Sequence, residues 1–388
     1  MLVKLGNYVE LRQGLAINAQ SKHLISTKKS LEYSYPLLKI VDMMNKNFST
    51  FVSSTVNNNV LAKYDDIIYT RTGQIGLAFR GFTGVVHNNS FIVSLLSDKL
   101  DKDFLFVILN SDFVKKQALT MAKNSVQADL THSMFKSIQI PLYDINTQKK
   151  IAKIIMSIES QLERNNAIVK KLQVLGHAIY KRWFIQFEYP NSNKNFVYNA
   201  ELKRKIPIDW EVLSLCDLMH KINLIADQTI NSPTIDLSVM PSSNISLINL
   251  NSSDNFSTNL NKMQEGNILF GSIRPYLKKC GIAPCDGKVA GTVYQFEVHQ
   301  SEAYNYTLMT MSQDFFFDYA LKVSTGTRMP VVGVDEILSY KLPYNENIVY
   351  LFNKLPIKKL IISINKNTNK LINLKDKLLP LLINGQLK

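Results

Sequence analysis

From residue 151 onward, apolar residues recur at alternating steps of four and three: Ile151, Ile155, Ile158, Leu162, Asn165, Val169, Leu172, Gly176, Ile179 and Trp183. Eight of these ten positions are apolar, which predicts a coiled-coil-like seam along one long helix, with a flanking row at Ile154, Ile168 and Leu175. At about 1.5 Å per residue such a helix extends on the order of 50 Å. A second stripe follows near the end of the chain, at Ile357, Leu360, Ile364, Asn367, Leu371, Leu374, Leu378 and Leu381. Pro356 suits its first turn, whereas Pro380 is expected to end or kink it. Each stripe carries one asparagine, Asn165 and Asn367, which either fixes register inside the seam or interrupts it toward solvent. Gly176 leaves room for a close approach. The economical arrangement is the two helices packed on each other, antiparallel if the halves of the chain are related by a twofold axis.

The segments ahead of the stripes follow a shorter period. Residues 66–70, 78–82 and 91–96 form apolar, β-rich runs followed by one predicted helix over 102–122. In the second half, runs at 268–273, 281–283 and 292–298 precede a predicted helix over 304–323. The expected fold class is therefore α+β (mixed α/β), with two globules and two long helices. Residues 188–205 are polar and Asn-rich, a plausible connector.

The two halves repeat one another. Ile67-Ile68-Tyr69 matches Ile268-Leu269-Phe270 at an offset of 201, and Ile140-Pro141 matches Leu342-Pro343 at 202. Near the starts Leu5-Gly6-Asn7-Tyr8 resembles Leu215-Cys216-Asp217-Leu218, at an offset of 210 and low identity. A period this long, present twice, predicts duplicated domains and not a solenoid. The boundaries read as 1–146, a helix over 147–187, a connector and second globule over 188–347, and a helix over 348–388.

Charge changes the picture once it is located. Of the net +14, residues 148–182 hold +6 and residues 357–388 another +6, so the helices carry nearly all of it. Those faces are either simply solvated or turned toward nucleic acid or an acidic partner. Three cysteines make no disulfide framework, no run reaches the roughly 18 apolar residues of a membrane span, and the start has no signal-peptide core. A cytoplasmic protein without membrane association is expected.

Catalytic signatures are missing. The segment Gly281 to Val289 has five residues between its glycines and Val289 where a phosphate loop needs Ser or Thr. Cys280, Cys285 and His299 lack the second pair of a zinc site, and His177 is expected to be an exposed helix residue. The turns after the repeated strand are richer: Thr70, Arg71, Thr72 and Gln74 in the first half, and Ser272, Arg274, Tyr276, Lys278 and Lys279 in the second. These types suit base edges and phosphates, and ordinary surface turns are the competing reading. Residues 123–130 and 324–331, the latter with Arg328, form a second equivalent pair of loops.

Together IPIDWEVLSL (206–215), IPLYDINTQKKIAKIIMSIESQLE (140–163) and LLPLLINGQLK (378–388) resemble the specificity subunits of Type I restriction-modification systems. The first half has no equivalent of IPIDW at its start. The resemblance implies two pseudo-twofold-related target-recognition domains separated by two long antiparallel coiled-coil-like helices. It implies a non-catalytic subunit that reads an asymmetric bipartite sequence in double-stranded DNA and scaffolds two modification (methyltransferase) subunits and the restriction subunits. No cofactor is expected on this chain; S-adenosylmethionine, ATP and Mg²⁺ belong on the partners. Ile155, Leu162, Asn165, Leu172, Ile179, Ile364, Asn367, Leu371 and Leu378 are the expected coiled-coil and partner positions. The alternative is a non-catalytic coiled-coil adaptor without sequence-specific DNA binding.

Overall fold

The computed structural model describes residues 1–123, 128–192 and 195–383. Contacts divide the chain into two compact units: Met1–Ser160 together with the terminal stretch from Asn373, and Gln161–Ile372. The boundaries expected from the sequence keep each long helix whole; by contacts each helix is instead shared, because each of its parts packs on the globule beside it.

The first unit is built around a four-stranded sheet ordered Val9–Gln13, Ser90–Leu95, Ile67–Thr70 and Ala78–Phe79. Its central strand Ile67–Thr70 is buried throughout, as expected for a short apolar run flanked on both edges. A second sheet of five short strands carries a parallel pairing, Leu37 opposite Val85 and Leu38 opposite Val86. The strands Leu2–Lys4 and Gln139–Pro141 pair antiparallel and close the unit.

The second unit repeats this construction. Its four-stranded sheet runs Met219–Ile222, Val293–Val298, Ile268–Gly271 and Cys280–Ile282. Its other sheet again contains a parallel pairing, Thr234 opposite Lys288 and Ile235 opposite Val289. Glu211–Ser214 pairs with Lys341–Tyr344, so the repeated prolines Pro141 and Pro343 occupy corresponding strands. The weak likeness between residues 5–8 and 215–218 is also structural: each follows the first strand of its closing pair.

Both predicted single helices are broken at the same point. Lys102–Leu109 and Asp112–Lys123 flank Asn110-Ser111, and Tyr304–Met311 and Asp314–Val323 flank Ser312-Gln313. Ser111 Oγ donates to Ile108 O at 2.6 Å, and Ser312 Oγ donates to Met309 O at 3.3 Å. Short polar side chains thus compete with the helix ladder. The expected connector also contains structure: Phe196–Asn199 pairs with Arg204–Pro207, its turn held by Asn199 Oδ1 accepting from the amides of Glu201 and Leu202 at 3.0 Å each.

The long helices span Ile145–Tyr180, followed by a π-helical turn at Lys181–Ile185, and Ile357–Ile383. The first starts two residues before the expected boundary at 147 because Asp144 caps it, accepting from Thr147 N at 3.0 Å. Pro380 does not end the second. The last turn is held by burial of Leu382 and Ile383 and by Tyr143 Oη donating to Ile383 O at 2.5 Å.

In the first helix all ten seam positions are buried or half-buried, but the flanking Ile154, Ile168 and Leu175 are exposed. In the second helix the buried stripe is displaced by one residue from the expected one. Ile361, Asn365 and Thr368 are buried, whereas Leu360 and Asn367 are exposed; Ile364, Leu371 and Leu378 remain half-buried. The helices run antiparallel. In the second unit Asn165 Nδ2 donates to Thr368 Oγ1 at 3.0 Å, and Gly176, eleven residues on, faces Ile357, eleven residues back. A Cβ at Gly176 would lie 2.9 Å from Met309 Sδ and 3.0 Å from Ile357 Cδ1, so the glycine leaves room for the ends of these two side chains. No helix among the described residues is long and apolar enough to cross a membrane.

Candidate nucleic-acid interface

Each central strand delivers the chain into a loop, and each loop is stitched to a second loop distant in sequence. In the first unit Thr72 bridges Asp129, and Leu130 N donates to Arg71 O at 3.1 Å. In the second, Ile273 bridges Val331, and Arg274 N donates to Pro330 O at 2.7 Å. The pairing of the two loop sets is thus the same in both units. Of residues 123–130, positions 124–127 lie outside the described residues.

Within the first loop Thr70 is fully buried. Its Oγ1 donates to Gln74 O at 2.5 Å and accepts from Leu77 N at 2.9 Å, so it ties the turn and is out of reach of a duplex. Gly73 takes φ +76° at the tip. Arg71 turns back onto the protein: its Nε donates to Asp129 Oδ1 at 2.9 Å, its other nitrogens bond Asp129 Oδ2 and, at 3.0 Å, Gln13 Oε1. The same Gln13 oxygen lies 3.0 Å from His132 Nε2. Burial, and then the charges of Arg71 and Lys136, lower the His132 pKa, so at neutral pH the ring is uncharged beside the guanidinium. Thr72 is half-buried, and Gln74 is exposed at the tip.

The second loop is built differently. Ser272 is buried and donates to Thr292 O at 2.8 Å. Arg274 and Lys278 both sit in the left-handed region, at φ +53° and +52°, bracketing the turn Pro275–Leu277. Non-glycine residues there are held at an energetic cost by their surroundings, and such strain concentrates at functional loops. The turn leaves Tyr276 half exposed. Lys278 Nζ is paired with Asp314 Oδ1 at 2.6 Å, and Lys279 Nζ donates to Leu237 O. Arg274 and Arg328 are exposed, and Arg328 lies in the 324–331 loop stitched to the Arg274 turn.

Hence the loops present Gln74 in the first unit and Arg274, Tyr276 and Arg328 in the second, while Thr70, Ser272, Arg71, Lys278 and Lys279 are engaged by the protein. The exposed side chains match groups that bond base edges or stack. The residues that sequence reasoning missed are Gln13 and His132, brought beside Arg71 and the Asp129 of the expected 123–130 loop by strand pairing and loop return; no local pattern marks them.

Residues 3–174 match the Type I restriction modification DNA specificity domain. Residues 3–174 are thus similar to the DNA specificity domain of Type I restriction-modification systems. In Methanocaldococcus jannaschii, the Type I restriction enzyme MjaIX specificity subunit is 27% identical over 153 residues, 39% of this chain and 35% of that protein. The MjaVIII specificity subunit of the same organism is 24% identical over 223 residues, 56% of this chain and 48% of its own length. The chain thus spans about a third to a half of the length of these curated relatives. The crystal structure of the Type I restriction-modification system S subunit from M. genitalium covers 99% of this chain and 96% of its own, with TM-score 0.61 and 13% identity, a likeness of fold.

Cys280 is buried with its thiol pKa pushed up by burial, Cys285 is half-buried and Cys216 exposed. Among the described residues no group of three or more His, Cys, Asp or Glu side chains could hold a metal ion. His177 is not an exposed helix residue: its Nε2 lies 2.8 Å from Ser312 Oγ, and burial lowers its pKa against the opposing charge of Asp314. The helix cations Lys149, Lys150, Lys153, Lys170, Lys171 and Lys181 are all exposed.

Proposed function

We propose that this chain is the DNA-reading subunit of a Type I restriction-modification complex, in which each unit reads one half of an asymmetric bipartite target. One observation carries the reading: the same sheet and the same stitched pair of loops are built twice, with unlike residues at the exposed tips. Equal scaffolds bearing Gln74 on one side and Arg274, Tyr276 and Arg328 on the other would select unlike half-sites, since Gln bonds adenine and Arg bonds guanine most readily. The chain contributes recognition and no chemistry. Modification subunits supply S-adenosylmethionine-dependent adenine methylation, and restriction subunits supply ATP- and Mg²⁺-dependent cleavage. The exposed basic helix faces serve phosphate contact or partner docking.

The test is co-expression with an adenine-methyltransferase (modification) subunit of a Type I system, followed by base-resolution mapping of methyladenine. A bipartite motif with two different halves is expected. An active partner that methylates no bipartite motif would overturn the reading in favour of an adaptor without sequence-specific binding.

A further inference from the structure

On the first long helix, two glutamines grip backbone. Gln148 is fully buried; its Nε2 donates to Lys99 O and Tyr143 O at 2.8 Å each, and its Oε1 accepts from Asp101 N at 2.8 Å. Gln173 belongs to the second unit; its Nε2 donates to Ser243 O at 3.0 Å and its Oε1 accepts from Ile245 N at 3.1 Å. Each amide therefore holds a donor and an acceptor of a single loop, which fixes orientation as well as distance.

Both grips lead to the candidate reading loops. Asp101 caps the helix Lys102–Leu109, and Asn110 at its far end bonds both Ala78 N, at 3.0 Å, and Ala78 O, at 3.1 Å, on the strand that leaves the 71–77 loop. In the second unit the path is shorter: Ser243 N donates to Lys278 O at 2.8 Å, inside the 271–279 loop. Next to it Ser246 Oγ donates to Asn365 Oδ1 at 2.6 Å, and both residues are buried. Apolar packing is non-directional and lets a globule shift on its helix, whereas paired hydrogen bonds to one loop do not.

We propose that Gln148 and Gln173 are positioning residues, each holding the reading loop of its own unit in the geometry that discriminates bases. The inference rests on the function proposed above and adds that each half of the target depends on its own glutamine. Gln148→Met and Gln173→Met keep side-chain length and remove all the hydrogen bonds of each amide, three at Gln148 and two at Gln173. Asn110→Leu breaks the first path at an exposed residue, should the buried Gln148 variant fail to assemble.

Each full-length variant is co-expressed with the methyltransferase and mapped beside the unsubstituted chain. Gln173→Met is expected to lower discrimination against mismatched bases about tenfold in one half of the motif, and Gln148→Met or Asn110→Leu by about the same factor in the other half only, a factor matching about one lost net hydrogen bond. A uniform fall in methylation with unchanged base preference, relaxation of the same half by both glutamine variants, or no change would overturn the proposal. Absence of a bipartite motif with the unsubstituted chain would instead overturn the function itself.

Discussion

At the scale of residues, the loop sequences YTRTGQIG and FGSIRPYLKK hold two kinds of polar side chain that composition cannot separate. One kind builds the turn and the other is left at its tip. Thr70 is of the first kind, fully buried with both of its hydrogen bonds inside the loop. Replacing it with Val keeps the shape and strands the Leu77 amide and the Gln74 carbonyl. The expected cost is about 1–3 kcal/mol, seen as a lower urea midpoint, with the methylated motif unchanged. A changed base preference in Thr70→Val would show that the loop is read as a whole and not at its exposed tip. Arg71 illustrates the same division: three of its donors meet Asp129 and Gln13, an arrangement that depends on a residue 58 positions away.

At the scale of elements, the heptad stripe of the first helix was legible to the residue, while that of the second was displaced by one. Apolar neighbours at Leu360-Ile361 and Leu371-Ile372 allow two competing stripes one residue apart, and burial of Ile361, Asn365 and Thr368 decides between them. The polar seam contact follows from that choice. Asn165 Nδ2 donates to Thr368 Oγ1, and Gln161 Nε2 donates to Asn165 Oδ1 at 3.0 Å. Asn165→Leu or Thr368→Val alone should each cost about 1–3 kcal/mol, and the double variant Asn165→Leu with Thr368→Val should recover part of it, because neither member of the pair is then left without the other, while Gln161 still loses its acceptor. Chemical denaturation of the four chains measures the coupling. Strictly additive costs would mean that the pair does not act as a unit.

At the scale of the whole molecule, duplication of the scaffold with divergence of the tips makes the halves separable. Exchanging residues 1–146 for the corresponding segment of a homologue should change one half of the methylated motif and leave the other as it was; alteration of both halves would refute modular reading. The sequence by itself determined the duplication, the two long helices, the α+β class and the central strands, because hydrophobic periodicity and strand–turn order are local properties written at fixed offsets. It also placed the candidate loops. Only the tertiary structure decided the breaks at Asn110-Ser111 and Ser312-Gln313, the passage of the second helix through Pro380, the hairpin inside the expected connector, and which loop side chains face outward. Those outcomes turn on hydrogen-bond partners and burial contributed by residues far away in the chain, such as Asp129 for Arg71, Thr292 for Ser272 and Tyr143 for the last turn at Ile383. A polar residue looks the same in sequence whether it holds a loop together or stands at its tip, and only its neighbours in space separate the two.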